Sequence, residues 1–256
     1  MRRVLVLVPF PMTPEQLDLR RAQADAAELP PDLELDYRPV LAAPSSYVSH
    51  HDYVLADVSL FEAGLDAQAD GYDAVCIDTV SDSGVAALRS MLDIPVIAAG
   101  RSMFLTALML GRKFGILTMW ENWFPLYERT LKDLVLTDRC AGMRAAGVNP
   151  DNRNLLGGKE EEVLPLLYEA AARLVEEDGA DVVCLGSTTM HEAHSYLAER
   201  LAVPVLNGGP LSYQMAEAMT ALDLTHSRRA YPRPMVAKPE LIKAMMQAAA
   251  GAEQSS

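Results

Sequence analysis

Asp73-Ala-Val-Cys-Ile-Asp-Thr79 and Asp181-Val-Val-Cys-Leu-Gly-Ser187 are two copies of one phrase, 108 residues apart. Asp, Val and Cys coincide at the first, third and fourth positions, Ile77 matches Leu185, and a hydroxyl closes each copy. The correspondence extends outward. Leu92-Asp-Ile-Pro-Val-Ile97 matches Leu201-Ala-Val-Pro-Val-Leu206 at an offset of 109, and Arg2-Arg-Val-Leu-Val-Leu-Val8 matches Arg112-Lys-Phe-Gly-Ile-Leu-Thr118 at 110. Chance matches would scatter in offset, so the chain reads as two halves of one design. Two halves of one design normally pack face to face, with ligands in the crevice between them, which makes Thr79 and Ser187 the first residues to consider.

Short β-branched runs alternate with helical stretches along the chain, a pattern that specifies parallel β/α architecture. Strands are expected near 3–8, 33–37, 73–78 and 95–98, then near 113–118, 139–145, 181–186 and 204–207. Helices are expected near 14–28, 53–69, 83–92, 101–111, 123–136, 160–178, 190–201, 210–222 and 239–248. Within 160–178, Leu164, Leu167, Ala171 and Leu174 recur at helical spacing. Residues 225–234 read as an extended, proline-rich excursion, and the tail from Gly251 onward as frayed. The expected fold is α/β: two pseudo-symmetric doubly wound parallel-sheet halves with an interdomain active-site cleft. One half takes residues 1–100 with 211–256, the other 101–210.

The 22 basic and 35 acidic residues give a formal charge of -13, which argues against nucleic acid or an anionic membrane as partner. Cys76, Cys140 and Cys184 are odd in number and lack C-x-x-C spacing, so neither a disulfide framework nor a metal cluster is indicated. A reducing, cytoplasmic setting follows. The apolar run at residues 4–8 is too short for a signal peptide or a membrane span and meets Pro9 and Pro11 at once. The expected partner is a small anionic, amide or ureide molecule, with no metal or cofactor.

In open parallel sheets, ligands collect at the carboxyl ends of strands. Thr79-Val-Ser-Asp-Ser-Gly84 and Gly186-Ser-Thr-Thr-Met190 occupy such positions, and their backbone N–H groups suit a carboxylate. Helix capping alone would account for Ser81, Asp82 or Thr188 singly, but not for matching turns in both halves. Cys76 and Cys184 sit three residues earlier, inside apolar strands, where burial raises a thiol's pKa and closes it to substrate. Alternation along the strand turns Asp78 away from Thr79. His191 follows Ser187 by four residues and is the candidate base, with His194 on roughly the same helix face.

Asp73-Ala-Val75 with Asp82-Ser-Gly84, Ile94-Pro-Val96, Gly111-Arg-Lys-Phe114 with Leu117-Thr118, Gly179-Ala-Asp-Val182 with Leu185-Gly186, and Leu224-Thr-His-Ser227 with Tyr231-Pro232 form a set. Together they resemble the aspartate/glutamate/hydantoin racemase superfamily, nearest its hydantoin and allantoin racemase branch, over almost the whole chain. The resemblance implies cofactor-independent chemistry in which one cysteine from each half moves the proton α to a carbonyl. Those cysteines fall on Thr79 and Ser187. Arylmalonate decarboxylase, in the same superfamily, retains a cysteine at the second position, and this chain does not. The family's Asn-Pro-Asn segment is Pro9-Phe-Pro-Met-Thr13 here, and an acidic residue after the fourth strand is Arg101. Pro44-Ser-Ser46 keeps a hydroxyl-bearing turn. The resemblance also implies homo-oligomers.

An alcohol's pKa lies far above operating pH, so Thr79 and Ser187 cannot replace a thiol pair as proton shuttles. They can donate hydrogen bonds to a developing enolate or oxyanion. The expected function is therefore an enzyme of this superfamily acting on a small carboxylate, ureide or cyclic amide, by hydrolysis or by a lyase step such as decarboxylation. A divergent racemase or isomerase and a non-catalytic metabolite-binding protein are the alternatives. Thr79, Ser187 and His191 are the expected catalytic residues. Pro9, Ser45, Ser46, Val80, Ser81, Arg101, Thr118, Tyr127 and Thr188 are the expected substrate contacts.

Overall fold

The computed structural model describes residues 1–22, 24, 29–149 and 160–253. Strands β1 (Arg2–Val8), β2 (Leu33–Pro39), β3 (Ala74–Ile77) and β4 (Val96–Ala98) form a parallel sheet in the order β2-β1-β3-β4. Strands β5 (Phe114–Thr118), β6 (Cys140–Ala145), β7 (Val182–Leu185) and β8 (Val205–Leu206) form a second, in the order β6-β5-β7-β8. Counting from the first strand of each, the orders are the same, as the sequence repeat requires. The chain divides into two compact units, one over residues 1–78, 82–98 and 212–256, the other over 79–81 and 99–211.

The helices are α1 (Pro14–Arg21), α2 (His50–Gly64), α3 (Val85–Met91), α4 (Ala99–Leu110), α5 (Phe124–Asp133), α6 (Glu160–Glu176), α7 (His191–Ala198), α8 (Gly208–Ala221) and α9 (Pro239–Glu253). In the first unit, strand alternation sends Leu5, Leu7, Val75 and Ile77 to one face, where they pack with Leu60 of α2 and Leu88 of α3. Val4, Val6, Val8, Ala74 and Cys76 take the other face, with Tyr213 and Ala216 of α8 and Leu17 of α1. Both faces are covered, which is why residues 4–8 of β1 are apolar in succession rather than alternating with polar residues. Burying residues 4–8 contributes on the order of 10 kcal/mol before chain entropy is subtracted.

Local chemistry explains where elements depart from expectation. Helix α2 starts at His50, ahead of the expected 53, because Ser49 and Asp52 form a reciprocal capping box. The Asp52 N–H donates to Ser49 Oγ at 3.3 Å, and the Ser49 N–H donates to Asp52 Oδ2 at 2.9 Å. Helix α9 runs through Gly251 to Glu253, which corrects the expected fraying from residue 251. Three consecutive alanines at 248–250 and buried Met246 hold it. Residues 254–256 lie outside the described residues, as do 23 and 25–28 of the expected first helix and 150–159 before α6. The strand expected over 139–145 is present as the edge strand β6.

Asp82 does not cap α3. Gly84 is the N-cap, at φ 76, and its N–H donates to Asp57 Oδ1 at 3.0 Å. A Cβ at Gly84 would lie 3.0 Å from the Phe61 nitrogen, so glycine is needed here for space as well as for backbone conformation.

Candidate active site

In each sheet the chain leaves the first strand toward one neighbour and later returns on its other side. In open α/β sheets such a switch point, here at the carboxyl ends of β1 and β3 and again of β5 and β7, is where ligands collect. Pro9 directly follows β1, Thr79 lies two residues beyond β3, Thr118 ends β5, and Ser187 lies two residues beyond β7. The expected catalytic hydroxyls therefore stand at equivalent places in the two sheets.

Around β1, Pro9 is buried and its carbonyl accepts the Tyr47 hydroxyl at 3.2 Å. Tyr47 packs edge-on against Phe10, with ring centroids 5.4 Å apart, and burial pushes its phenol up, so it stays a neutral donor. Exposed Ser45 and half-buried Ser46 precede it. Asp78 points into the protein, where Arg20 Nη1 meets Asp78 Oδ2 at 3.1 Å with both side chains buried. Alternation along the strand anticipates that direction for Asp78. Arg20 escaped the sequence reading, because an arginine in the last turn of a helix ordinarily reads as a solvated residue complementing the helix dipole.

The two turns share a hydrogen-bond motif. Thr79 Oγ1 accepts the Ser81 N–H at 3.3 Å and lies 3.2 Å from Ser81 Oγ. Ser187 Oγ accepts the Thr189 N–H at 3.2 Å and lies 2.8 Å from Thr189 Oγ1. Each motif hydroxyl is half-buried, and its partner two residues on is buried. Thr189 is the site residue that the sequence reading passed over. The same offset of 108 that pairs Thr79 with Ser187 pairs Ser81 with Thr189.

Behind Ser187 stands a second set of hydroxyls. Tyr127 Oη donates to the Gly186 carbonyl at 2.7 Å, which commits its one hydrogen, so Thr118 donates to Tyr127 Oη at 2.8 Å. Thr118 and Tyr127 are both fully buried. A Cβ on residue 186 would lie 2.6 Å from Tyr127 Oη, so the close approach of tyrosine to backbone demands glycine. The first copy carries Asp78 at this position, secured by Arg20 instead.

The remaining expected residues lie on several elements. Val80 and Thr188 are buried within the two turns, Thr188 in a single 3-10 turn over Thr188–Met190. His191 is the half-buried first residue of α7. His194 Nε2 lies 3.1 Å from the Val205 carbonyl, which gives it a structural tie to β8. Arg101 on α4 forms an ion pair with Asp133 of α5 at 3.0 Å. Among the described residues, no group of three or more His, Cys, Asp or Glu side chains is arranged to hold a metal ion.

The three thiols are buried or half-buried. Cys76 and Cys184 are fully buried, and burial pushes Cys76 up to about 12 and Cys184 well above the ordinary thiol range. Cys76 Sγ donates to the Ser212 carbonyl at 3.5 Å. Half-buried Cys140, on β6, is raised to about 11, again by burial. None of the three thiols is placed to ionise near neutral pH.

Comparison with known proteins gives the architecture a family. The Asp/Glu/hydantoin racemase family matches residues 18–216. The chain belongs to this family. It is 30% identical over 185 residues to a hydantoin racemase from Pseudomonas sp. (strain NS671), covering 70% of this chain and 71% of that protein. An allantoin racemase from Pseudomonas fluorescens superposes with a TM-score of 0.79 at 26% identity, covering 93% of this chain and 99% of that one. Allantoin racemase from Klebsiella pneumoniae superposes with a TM-score of 0.82 at 24% identity, covering 93% and 95%. The doubled α/β architecture is therefore that of the racemases, and the similarity runs to the hydantoin and allantoin racemase branch.

Proposed function

We propose that this protein is a cofactor-independent enzyme that acts on a small carboxylate, ureide or cyclic amide, with Thr79 and Ser187 stabilising an enolate or oxyanion in one substrate. The reaction is a bond cleavage, hydrolytic or decarboxylating, rather than two-thiol racemisation. The observation that carries this reading is the pair of twinned hydroxyls, Thr79 with Ser81 and Ser187 with Thr189. In the Ser187–Thr189 pair the two hydroxyls bring two hydrogens, and the bond between them uses one, which leaves one to donate outward. When Thr189 donates to Ser187, Ser187 Oγ accepts two hydrogen bonds, counting the Thr189 N–H, and its own hydrogen is the free one. Accepting polarises an O–H, making it a stronger donor and a poorer base. Such a group suits developing negative charge, where one well-placed donor is worth roughly a hundredfold to a thousandfold in rate.

The buried thiols support the same reading, since neither Cys76 nor Cys184 can take over a shuttle that the two motif positions lack. His191, four residues after Ser187 and at the start of α7, is the residue we assign to proton transfer. The substrate class follows the relatives, whose names specify hydantoin and allantoin, both cyclic and rich in amide groups. The test is NMR of hydantoins, allantoin, ureido acids, substituted malonates and cyclic amides with the protein in D₂O. Ring opening or CO₂ release is the expected outcome. Deuterium uptake at the α carbon without cleavage would return the protein to isomerase chemistry, and tight binding without reaction would make it a metabolite-binding protein.

A further inference from the structure

We infer that Arg20 is a positioning residue, which acts through Asp78 to hold the Thr79 turn, as Tyr127 holds the Ser187 turn through Gly186. The inference rests on the oxyanion role proposed above for the two hydroxyls. Asp78 directly precedes Thr79, and Gly186 directly precedes Ser187. Each is tied to the first strand of its sheet, the Asp78 N–H donating to the Leu7 carbonyl at 3.0 Å and the Gly186 N–H to the Leu117 carbonyl at 2.7 Å. Each also takes a buried polar side chain from the helix that follows that strand. Arg20 Nη1 of α1 lies 3.1 Å from Asp78 Oδ2, and Tyr127 Oη of α5 donates to the Gly186 carbonyl at 2.7 Å.

Inherited core packing does not supply this match, because the contacting pair is Arg–Asp in one half and Tyr–Gly in the other. What recurs is the place of the contact, just before the motif hydroxyl. Nor does stability require the charges, since a buried ion pair is often no more stabilising than apolar residues filling its space. Such a pair does fix direction: a carboxylate bonded to a guanidinium at a set distance and angle holds the backbone that carries it. Alternation puts Asp78 on the sheet face of Ala74 and Cys76, where Leu17 of α1 and Tyr213 of α8 also pack. Arg20 therefore grips the turn from the core, while Thr79 stays half-buried rather than enclosed.

Amide hydrogen exchange followed by NMR tests the geometry, and steady-state kinetics on the first accepted substrate tests its consequence. The main variant is Arg20→Met/Asp78→Leu, which replaces the pair with apolar side chains so that the fold survives. Arg20→Lys is a smaller change that keeps a charge opposite Asp78. In the double variant, exchange of the Ser81 N–H, the donor to Thr79 Oγ1, should quicken at least about tenfold, while the Thr189 N–H keeps its wild-type rate. The kcat should fall about tenfold or more with KM nearly unchanged, because a displaced donor weakens the transition state alone. In a Thr79→Ala background the same change should cost little further kcat, since Arg20 acts through that hydroxyl. Arg20→Lys should show the smaller loss in both readouts.

Ser81 exchange at the wild-type rate in a folded double variant would overturn the inference, as would a kcat loss that adds in full to that of Thr79→Ala. Faster Ser81 exchange beside a Thr79→Ala variant with wild-type kcat would uphold the positioning by Arg20 and refute the oxyanion role itself.

Discussion

Gly186→Ala isolates the contact that holds the backbone just before Ser187. The new Cβ would lie 2.6 Å from Tyr127 Oη, 2.8 Å from Tyr127 Cζ and 3.0 Å from the Leu117 carbonyl oxygen. Tyr127 is fully buried and bonded to both Thr118 and the Gly186 carbonyl, so it has nowhere to retreat. Overpacking of this kind costs about 1–3 kcal/mol, and displacing the tyrosine loses hydrogen bonds worth about 1 kcal/mol each. Replacing glycine with alanine returns about 0.4–1 kcal/mol by restricting the unfolded chain. The net loss is about 2–4 kcal/mol, which for a chain of this size lowers the melting midpoint by roughly 5–15 °C. Urea and thermal melts of Gly186→Ala, Tyr127→Phe and the double variant measure it. Removing Oη relieves the shortest contact, so the double variant should be more stable than the summed single losses by about 1 kcal/mol or more. The reasoning fails if Gly186→Ala unfolds within about 0.5 kcal/mol of wild type, or if the two losses simply add.

Breaking the buried Arg20–Asp78 pair from one side, by Arg20→Met, should cost about 3–5 kcal/mol in urea unfolding, and Arg20→Met/Asp78→Leu should recover much of it. Equal losses in single and double variants would refute the pairing. In native protein a thiol-specific reagent should label Cys140 first, leaving Cys76 and Cys184 unmodified until denaturant is added, as mass spectrometry of digested peptides would show. Because burial raises the folded Cys76 pKa from 9.0 to about 12, the folded state holds that proton more tightly than the unfolded state. Its stabilising contribution is complete below pH 9 and diminishes as pH rises toward about 12, so Cys76→Ala should flatten the alkaline decline in unfolding free energy. An unchanged slope would mean that Cys76 already titrates like a free thiol.

The repeat made the architecture legible, because matched strand phrases at one offset imply matched sheets, and both sheets carry the same strand order. It also located Thr79 and Ser187 at the switch points. What it left unread depends on contacts between residues distant in sequence. Arg20 is 58 positions from Asp78, and nothing near it in the chain distinguishes a buried arginine from a solvated one. Arg101 pairs with Asp133, 32 positions away, through the packing of α4 near α5. Asp82 reads as a helix cap from its residue type, yet Gly84 holds that place because Phe61 leaves no room for a side chain. Thr189 differs from these, since the repeat itself marks it; continuing the match two residues past Ser187 exposes its equivalence to Ser81.

The most direct test of the two-hydroxyl account is steady-state kinetics on the first substrate that the wild type accepts, with Thr79→Ala and Ser187→Ala alongside and their folding checked by circular dichroism. The account predicts that each variant folds normally and loses roughly a hundredfold to a thousandfold in kcat, the loss expected for an oxyanion donor. Retention of kcat within about tenfold by either folded variant would contradict the role assigned to that hydroxyl.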